Sequence, residues 1–373
     1  MDALMLPSNW QRVRLGDIGK PCMCKRVMKH QTTPYGEIPF YKIGTFGNTA
    51  DAFISKKLFL EYKTKYSFPK KGDILISASG TIGRAVIYDG KPAYFQDSNI
   101  VWIDNDETLV KNDFLFYAYS NIKWNTEHTT ILRLYNDNFR NTLIPLPPLN
   151  EQIAIANILS DVDHYLYSLR ALILKKESVK KALSFELLSQ RKRLKGFNQN
   201  WQKVRLGDIA NYLTSNLSVE QITQQGKFKV YDVNNFIGYT DTTFISDKPY
   251  ISIVKDGSVG RVRILPPKTN ILSTMGALIA NHKTTTEFLF YLLSNFDFKN
   301  FTSGSIIPHI YFKDYKEKTI FLPPLNEQIA IANILSALDS EIISLKNKKR
   351  QFENIKKALN HDLMSAKIRV LNK

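Results

Sequence analysis

Two short glycine turns carry hydroxyl and guanidinium groups that could hold a phosphate. The first reads Gly-Thr-Ile-Gly-Arg over residues 80–84, and the second reads Gly-Ser-Val-Gly-Arg over residues 257–261. Glycine lets the main chain approach a ligand closely, and arginine binds phosphate oxygens through paired N–H donors. The alternative is an ordinary tight hairpin with an exposed arginine. We predict that these turns position a nucleic acid duplex, through the side chains of Thr81, Arg84, Ser258 and Arg261.

Polar residues that follow predicted strands are candidates for reading bases. Lys42 and Thr45 lie at the end of one such strand in the first half of the chain, and Asn234 and Asn235 follow one in the second half. Asparagine pairs well with adenine edges in the major groove. It also favours turns, which is the alternative explanation. We predict that these four residues contact base edges.

No motif for catalysis by this chain itself is evident. The phosphate-binding pattern GxxxxGK[ST] is absent. The proline pairs at Pro147-Pro148-Leu149 and Pro323-Pro324-Leu325 lack the aromatic residue with which an adenine methyltransferase holds a flipped base. Glu61 and Lys63, with Asp51 upstream, faintly resemble a nuclease dyad, but such fragments are common by chance. We predict no catalytic residue.

Metal binding and disulfide formation are not indicated either. The six histidines, one of which is His128, are scattered without a ligand spacing. Cys22 and Cys24 are one residue apart and far from any His or Cys cluster, which favours reduced thiols in a cytoplasmic protein. No apolar run approaches the roughly 20 residues that span a bilayer, and the N-terminus does not resemble a signal peptide. The formal net charge of +17 favours a polyanionic partner.

The elements that must position these residues are revealed by an internal repeat. The fifteen-residue segment LPPLNEQIAIANILS occupies residues 146–160 and again residues 322–336. The block WQRVRLGDI from Trp10 returns as WQKVRLGDI from Trp201, and FLFYAYSN from Phe114 returns as FLFYLLSN from Phe288. The interiors between these blocks differ greatly. The chain is therefore a tandem duplication with a constant frame and two unlike modules.

Each repeated proline pair precedes a predicted long helix. Asn150 and Asn326 are good N-cap candidates, because an asparagine side chain accepts hydrogen bonds from first-turn amides. A 4-3 alternation of apolar residues then runs for more than four heptads, which is typical of a coiled coil of about 40 residues per helix. Its predicted seam positions are Ile155, Leu159, Val162, Leu166, Leu169, Ile173, Lys176, Lys180, Leu183 and Leu187, and then Ile331, Leu335, Leu338, Ile342, Leu345, Lys349, Phe352, Lys356, Leu359 and Leu363.

The charges of the two helices indicate how they pair. Residues 146–174 carry a net charge of −2 and residues 175–195 carry +6. Residues 323–345 carry −3 and residues 346–373 carry +7. An antiparallel arrangement sets each acidic start against the other helix's basic end, whereas a parallel one sets like against like. We therefore predict an antiparallel pair with pseudo-two-fold symmetry.

The modules themselves contain short β-rich stretches between turns, so an α+β fold is predicted. It consists of two α/β recognition modules separated by two long helices that form an antiparallel coiled coil. The predicted segments are 1–145 and 196–321 for the modules and 146–195 and 322–373 for the helices. The predicted strands are Ile38–Ile43, Asp73–Ser77, Ala85–Tyr88, Ile100–Ile103, Phe228–Val233 and Ile251–Val254, and the Phe114 and Phe288 blocks are predicted to be short buried helices.

Taken together, the sequence resembles the specificity subunits of type I restriction-modification systems. The paired LPPLNEQ helices, the WQ-V-RLGDI blocks and the GTIGR and GSVGR turns carry this resemblance over essentially the whole chain. It implies two target recognition domains that read a bipartite, asymmetric site in double-stranded DNA. It also implies two methyltransferase subunits docked on the frame and restriction subunits that translocate DNA. S-adenosylmethionine, ATP and Mg are then expected on those partners and no cofactor in this chain.

Partner contacts are predicted at the two helix starts, at Asn150, Glu151 and Gln152 and at Asn326, Glu327 and Gln328. The modules are only mildly basic, with net charges of +5 for residues 1–145 and +4 for residues 196–322. We therefore expect the isolated chain to bind DNA weakly and with a strong dependence on salt. Two alternatives stay open at this point, namely a fused methyltransferase or nuclease and a coiled-coil scaffold without a DNA role.

Overall fold

The chain folds into two compact units, each built from one module and parts of both long helices. The computed structural model describes residues 7–126 and 132–370. Unit 1 comprises Met1–Leu169 and Lys348–Lys373, and unit 2 comprises Arg170–Asn347. These units cut across the predicted sequence segments, because each long helix contributes one half to each unit.

The first half of the chain contains nine short strands and five α-helices within its described residues. All but the last helix belong to the first module. In chain order they are β1 (Gln11–Arg14), α1 (Leu15–Ile18), β2 (Gly19–Met23), β3 (Ile38–Tyr41), β4 (Phe53–Ile54), α2 (Lys56–Lys65), β5 (Ile74–Ser77), β6 (Ala85–Ile87), β7 (Tyr94–Phe95), β8 (Ile100–Asn105), α3 (Asn112–Tyr119), α4 (Asn136–Asn141), β9 (Leu143–Leu146) and α5 (Leu149–Leu188).

Two sheets and a closing strand pair organise the module of unit 1. The larger sheet has the order β2-β8-β5-β6 with antiparallel neighbours, and the smaller has the order β4-β3-β7 with β3 and β7 parallel. Strands β1 and β9 pair antiparallel, with Gln11 opposite Leu146, so the two ends of the module meet just before α5. Phe114 of α3 shares one core with Leu159 of α5 and Leu363 of the chain's last helix. Burying each such side chain contributes about 1.5–3 kcal/mol.

The second half of the chain repeats this order of elements with a different interior. In chain order they are β10 (Gln202–Arg205), β11 (Ala210–Thr214), β12 (Phe228–Tyr231), β13 (Phe236–Thr240), β14 (Tyr250–Val254), β15 (Val262–Leu265), β16 (Thr269–Ile271), β17 (Met275–Ala280), α6 (Thr286–Ser294), β18 (Thr302–Ser303), β19 (His309–Ile310), α7 (Phe312–Tyr315), β20 (Thr319–Leu322) and α8 (Leu325–Met364).

The sheets of unit 2 have the same layout as those of unit 1. The larger sheet has the order β11-β17-β14-β15 and the smaller has the order β13-β12-β16, again with one parallel pair, β12 and β16. Strands β10 and β20 close the module, with Gln202 opposite Leu322. Phe288 of α6 packs in one core with Leu187 of α5 and Leu335 of α8. The repeated frame therefore builds the same attachment of module to helices in each unit.

Both long helices have the predicted length of 40 residues. Each begins two residues earlier than predicted, at Leu149 and Leu325, so Asn150 and Asn326 lie inside the first turn instead of at the N-cap position. Their Oδ1 atoms still accept a hydrogen bond from the next backbone amide, at 3.0 Å for Asn150 and 2.9 Å for Asn326. Ten of the predicted seam positions are buried, namely Ile155, Leu159, Leu166, Leu169, Ile173 and Leu187 on α5 and Ile331, Leu335, Ile342 and Leu363 on α8.

The predicted antiparallel pairing is confirmed by ion pairs inside each unit. In unit 1 Asp163 lies 2.6 Å from Nζ of Lys356, while Glu151, earlier in α5, pairs with Arg369, later in the chain. The earlier residue of α5 thus pairs with the later residue at the C-terminal end of the chain, as in an antiparallel arrangement. In unit 2 Lys176 and Lys180 of α5 pair with Glu341 and Asp339 of α8 respectively, again in reversed order.

The predicted strands all exist, with shifts of one or two residues at their ends. The strands β3 and β12 end at Tyr41 and Tyr231, two residues earlier than predicted, because the chain turns there. Strand β8 extends to Asn105, two residues further than predicted. The Phe114 and Phe288 blocks form the helices α3 and α6, as predicted.

Among the described residues, α8 is long and apolar enough, by length and composition alone, to cross a membrane. One 18-residue window in it has a mean hydropathy of 1.3, and a core helix passes the same test. Ile331 and Leu335 of this helix lie in the core of unit 2, and Asp339 lies one turn further on in an ion pair. Some of the apolar residues of α8 therefore pack in the core of unit 2.

Candidate nucleic-acid interface

The first glycine turn connects β5 to β6 in unit 1. Gly80 and Gly83 both adopt positive φ angles, of 65° and 82°. A Cβ atom at Gly83 would collide with the indole ring of Trp124, whereas at Gly80 it would meet nothing closer than Ile43, 3.9 Å away. The second glycine is therefore required for packing inside the module. The first faces open space, where a ligand could approach the main chain.

The structure brings Arg84 together with the loop that contains Lys42 and Thr45. Nη1 of Arg84 donates a hydrogen bond to the carbonyl oxygen of Phe46, at 2.9 Å. Lys42 pairs with Asp51 at 2.8 Å. The hydroxyl of Thr45 accepts from the backbone amide of Lys42 and shapes this loop. Thr81 is exposed at the tip of the turn. The four predicted residues of this module thus lie on two adjacent loops, and three of them already have partners within the chain.

The second glycine turn connects β14 to β15 in unit 2 and repeats this division of roles. Gly257 and Gly260 have φ angles of 83° and 79°. A Cβ atom at Gly260 would collide with the ring of Phe298, while at Gly257 it would meet no atom within 4 Å. Ser258 and Arg261 are exposed, and within residues 7–126 and 132–370 neither side chain has a hydrogen-bond or ion-pair partner. The side chains of Ser258 and Arg261 are therefore available to contact a ligand.

The loop after β12 carries the other two predicted residues of unit 2. Asn234 and Asn235 are exposed, and their backbone amides donate to Oδ1 of Asp232, at 2.7 and 2.6 Å. Nη1 of Arg263 donates to the carbonyl oxygen of Asn234 at 3.1 Å. Arg263 thus fastens this loop to the β14–β15 hairpin, as Arg84 fastens the corresponding loop in unit 1. The asparagine side chains themselves project from the loop without hydrogen bonds inside the described parts of the chain.

Sequence reasoning missed Arg263 and the two aromatic residues under the turns. The signal for Trp124 and Phe298 was present, since a second glycine at the same position of both turns indicates a close neighbour. Arg263 could not be found from the repeat, because it stands two residues after the position that Arg84 occupies in the first turn.

Arg261→Ala is expected to weaken DNA binding and to reduce its salt dependence. If Arg261 holds one phosphate, the slope of log K against log salt should fall by about 0.9. The measurement is the affinity for target DNA over a series of salt concentrations, using the chain with its partner subunits. Arg205→Ala serves as a matched control, because that exposed arginine is held by Asp208 and Glu317. Unchanged affinity and slope in Arg261→Ala would remove the phosphate contact.

The predicted partner-binding residues at the helix starts are mostly inside the folded units. Glu151 and Gln152 are 2% and 0% exposed. Glu151 accepts hydrogen bonds from Nε1 of Trp10, at 3.0 Å, and from the guanidinium of Arg369, at 2.8 and 3.1 Å. Gln152 bonds the backbone of Lys111 and the carbonyl oxygens of residues 109 and 147. Neither side chain is accessible to another subunit.

The second helix start has the same construction. Glu327 accepts from Nε1 of Trp201, at 2.9 Å, and from Arg193, at 2.7 and 3.1 Å. Gln328 accepts from Thr284 and donates to two backbone carbonyls. Direct partner contact by Glu151, Gln152, Glu327 and Gln328 is therefore incompatible with their burial. Each fixes a module to its helix instead, and only Asn150 and Asn326 of the six are exposed.

A lysine, an aspartate and a tyrosine form a second repeated cluster in each unit. In unit 1 the hydroxyl of Tyr117 donates to Asp163 at 2.9 Å, and Lys356 lies 5.4 Å from the centre of the tyrosine ring. Burial, and then the hydrogen bond to the Asp163 carboxylate, raise the pKa of Tyr117 well above its usual value. The tyrosine therefore stays a donor at neutral pH. The counterpart cluster of unit 2 consists of Lys180, Asp339 and Tyr291.

Metal ions in proteins are bound by groupings of His, Cys, Asp and Glu side chains. Across residues 7–126 and 132–370, no three His, Cys, Asp or Glu side chains are grouped so that they could hold a metal ion. His128 lies outside the described residues. Cys22 and Cys24 are free thiols, and burial raises the pKa of Cys24 to about 12, so this thiol stays protonated.

The fold defines a class of protein, a chain with two unlike α/β modules on a repeated helical frame. A family model described as the type I restriction modification DNA specificity domain matches residues 7–177 and 198–354. These ranges cover most of the chain, so the protein belongs to this family. It is a specificity subunit, a non-catalytic subunit that recognises DNA sequence. The alternatives of a fused enzyme and of a scaffold without a DNA role are thereby set aside.

Individual relatives agree with this assignment. A type I restriction enzyme specificity subunit of Haemophilus influenzae is 64% identical over 148 residues, which cover 39% of this chain and 38% of that protein. The MjaVIII specificity subunit of Methanocaldococcus jannaschii is 26% identical over 100% of this chain and 96% of its own length. The crystal structure of a type I specificity subunit from M. genitalium superimposes with a TM-score of 0.64 at 21% identity, covering 97% of this chain and 98% of that one. The predicted fold class is thus confirmed.

Proposed function

We propose that this specificity subunit reads a bipartite, asymmetric DNA site, with one half-site for each module. The observation that carries the proposal is the pair of loops after β3 and β12. They occupy the same place in the same topology, yet one presents Lys42 and Thr45 and the other presents Asn234 and Asn235. Base-edge recognition depends on such side chains, so unlike loops on a common frame should select unlike half-sites.

In this proposal the glycine turns position the duplex and the loops select the sequence. Thr81 and Arg84 in unit 1, and Ser258 and Arg261 in unit 2, contact the phosphates from the turns. The arginines that fasten loop to turn, Arg84 and Arg263, keep the two kinds of contact at a fixed spacing. A fixed spacing matters because phosphate contacts set the register in which base contacts are made.

The chemistry is assigned to partner subunits in the cytoplasm. Two methyltransferase subunits would supply S-adenosylmethionine and methylate adenine, and restriction subunits would supply ATP- and Mg-dependent translocation and cleavage. A similar solved structure, with a TM-score of 0.57 at 16% identity, comes from work on complex assembly and conformational transition of the type I restriction-modification system. A structural relative that belongs to such a complex supports the expectation of partner subunits.

The surface we assign to the methyltransferase subunits is the exposed side of each helix start. Leu149 and Ile153 are exposed in unit 1, and their repeat counterparts Leu325 and Ile329 are exposed in unit 2. Apolar residues that stay exposed at identical positions in both copies suit two copies of one partner. Asn150 and Asn326 lie between them and can add polar contacts.

Ile153→Asp is expected to remove one of the two methyltransferase subunits, and Ile329→Asp the other. A buried charge at the centre of an interface should lower the affinity at least about tenfold. Native mass spectrometry of the assembled complex measures the loss. Leu174→Asp is the matched control, because Leu174 is exposed on α5 but its repeat counterpart is Arg350. Full occupancy by both subunits in the Ile153→Asp, Ile329→Asp double variant would contradict this docking surface.

Methylome sequencing with the gene present and deleted tests the function as a whole. A bipartite methyladenine motif with two different half-sites should be present in the first case and absent in the second. Exchange of residues 196–321 for the module of a relative should change one half-site and leave the other. A palindromic motif, or a motif that survives deletion, would contradict the proposal.

A further inference from the structure

A small hairpin beside the second glycine turn ends in two exposed isoleucines. Strands β18 and β19 pair through Thr302 opposite Ile310, and the connection between them contains Ile306 and Ile307. Ile306 is 93% exposed and Ile307 is 55% exposed. Scattered exposed apolar residues are ordinary. Two neighbouring isoleucines at the tip of a hairpin are a concentrated apolar surface without a partner in the unit.

The hairpin is firmly held by the strand that leads into the glycine turn. The backbone amide of Gly257 donates to the carbonyl oxygen of Pro308, and the amide of Ile310 donates to that of Lys255, both at 2.9 Å. Nδ1 of His309 lies 2.6 Å from Oδ1 of Asp256, and the side chain of Ile310 is buried. The tip is therefore presented at a set position relative to the turn.

A glycine fixes the return of the hairpin itself. Gly304 has a φ angle of 90°, and an added Cβ atom would collide with the carbonyl oxygen of Ile307. The isoleucines thus stand on a defined turn, and any binding they make loses little conformational entropy.

The surroundings of the tip are suited to DNA. Arg261 in the glycine turn and Lys313, three residues after the hairpin's last strand, are exposed cations, and Lys313 lies 5.6 Å from the centre of the Tyr311 ring. The carboxylate of Asp256 is already engaged by His309. Proteins that kink DNA insert apolar side chains such as isoleucine between base pairs, next to basic residues that hold the adjacent phosphates.

We propose that Ile306 and Ile307 form an apolar wedge that enters the stack of bases in the half-site read by the second module. This inference rests on the proposed function, because it assumes that the turn of Ser258 and Arg261 faces the duplex. The wedge unstacks one base step while the turn holds the backbone beside it. Sequences with an easily unstacked step at that position are then preferred, without any hydrogen bond to a base.

The test uses the full chain in complex with its methyltransferase subunits and a duplex of the target defined by methylome sequencing. 2-Aminopurine is placed at successive positions of the second half-site, since its fluorescence rises when a base is unstacked. Apart from the adenine that a methyltransferase subunit flips, we expect a rise at one further step with the natural chain and no rise at that step with the Ile306→Ser, Ile307→Ser double variant. The affinity of that variant should be about 10- to 100-fold lower, from the loss of buried apolar surface.

Two controls separate the possible outcomes. Val219→Ser removes another exposed apolar side chain of unit 2 and should change neither signal. The salt slope of the double variant should equal that of the natural chain, because no phosphate contact is lost. Specific binding by the natural chain with no rise beyond that of the flipped adenine, and with unchanged affinity in the variant, would overturn the wedge alone. Loss of methyltransferase binding by the variant in the absence of DNA would also overturn it, by assigning the tip to a protein partner. Absence of target-specific binding by the natural chain would instead overturn the proposed function.

Discussion

Arg369→Ala is expected to lower the free energy of unfolding of unit 1 by about 3–5 kcal/mol. The reason is the Glu151 carboxylate, whose side chain is only 3% exposed and which Arg369 approaches through both Nε and Nη2. Without the guanidinium, the charge stays buried with the indole N–H of Trp10 as its remaining side-chain donor among the described residues. An unpaired buried charge costs far more than the pair itself contributes.

Hydrogen exchange measured by mass spectrometry can locate this effect. Peptides from β1, β9 and the start of α5 should lose protection, while those from β10 and β20 should keep it. Arg193→Ala should give the reverse pattern, because Arg193 binds Glu327 in the same way in unit 2. Lys367→Ala removes a nearby exposed cation, 3.8 Å from Asp362, and should change stability by less than about 1 kcal/mol.

A second substitution distinguishes a charge effect from lost packing. Glu151→Gln in the Arg369→Ala background removes the buried charge but keeps the side-chain volume. Most of the lost stability should return in this double variant. Equal instability of the single and double variants would show that the arginine acts through packing of its stem instead.

Ending the chain after Asn347 is expected to abolish the stable fold of unit 1. The removed residues contribute Leu363 and Met364 to its core, Lys356 to the Asp163 pair and Arg369 to the Glu151 pair. Truncating one buried leucine to alanine already costs about 2–5 kcal/mol. The sum of these losses is as large as the 5–15 kcal/mol that stabilises an ordinary domain.

Hydrogen exchange and limited proteolysis would show the result. Unit 2 should keep its protection, because its residues, Arg170–Asn347, are all retained. Two matched substitutions test the same point more mildly. Leu363→Ala removes a buried side chain from the core of unit 1, and Leu187→Ala removes the one at the corresponding repeat position in unit 2. Retained protection of β1, β9 and α3 in the shortened chain would contradict the assignment of residues 348–370 to unit 1.

Much of this architecture could be predicted from the sequence because the repeat was so explicit. The 4-3 periodicity predicted the length of both helices. The acidic starts and basic ends of the helices predicted their antiparallel order, which the ion pair between Asp163 and Lys356 confirms. Four lysines lie at predicted seam positions. Lys176, Lys180 and Lys356 meet carboxylates of the opposite helix, so these three positions add ion pairs to the antiparallel pairing, while Lys349 pairs with Glu353 of its own helix.

The polar residues at the helix starts were misjudged for a physical reason. Glutamate and glutamine in a first helical turn are usually exposed, and sequence alone did not show that an arginine far along the chain lies beside each glutamate. A signal was available, however. Trp10 and Trp201, Glu151 and Glu327, and Arg193 and Arg369 all repeat, and a repeated Trp-Glu-Arg set indicates an internal cluster.

Other features could not be predicted from periodicity. Strand β2 contains Pro21, which disfavours a strand, yet it lies at the edge of its sheet, where a missing N–H is tolerated. Arg84 and Arg263 each hold a loop by a hydrogen bond to a carbonyl oxygen that is far away in the sequence. Periodicity does not show which carbonyl oxygen a guanidinium reaches. The side chains that select bases depend on geometry of the same kind.

The division of residues between the units has a consequence for synthesis on the ribosome. Unit 2 is continuous in sequence, so all of it is synthesised before residue 348 is added. Unit 1 needs residues 348–370 to complete its core, although its module is translated first. Domains generally fold as they emerge, so the first-made module should wait, incompletely packed, until the second has folded. A chain released from the ribosome after residue 347 should therefore be cleaved by protease in its older half and resist cleavage in its newer half.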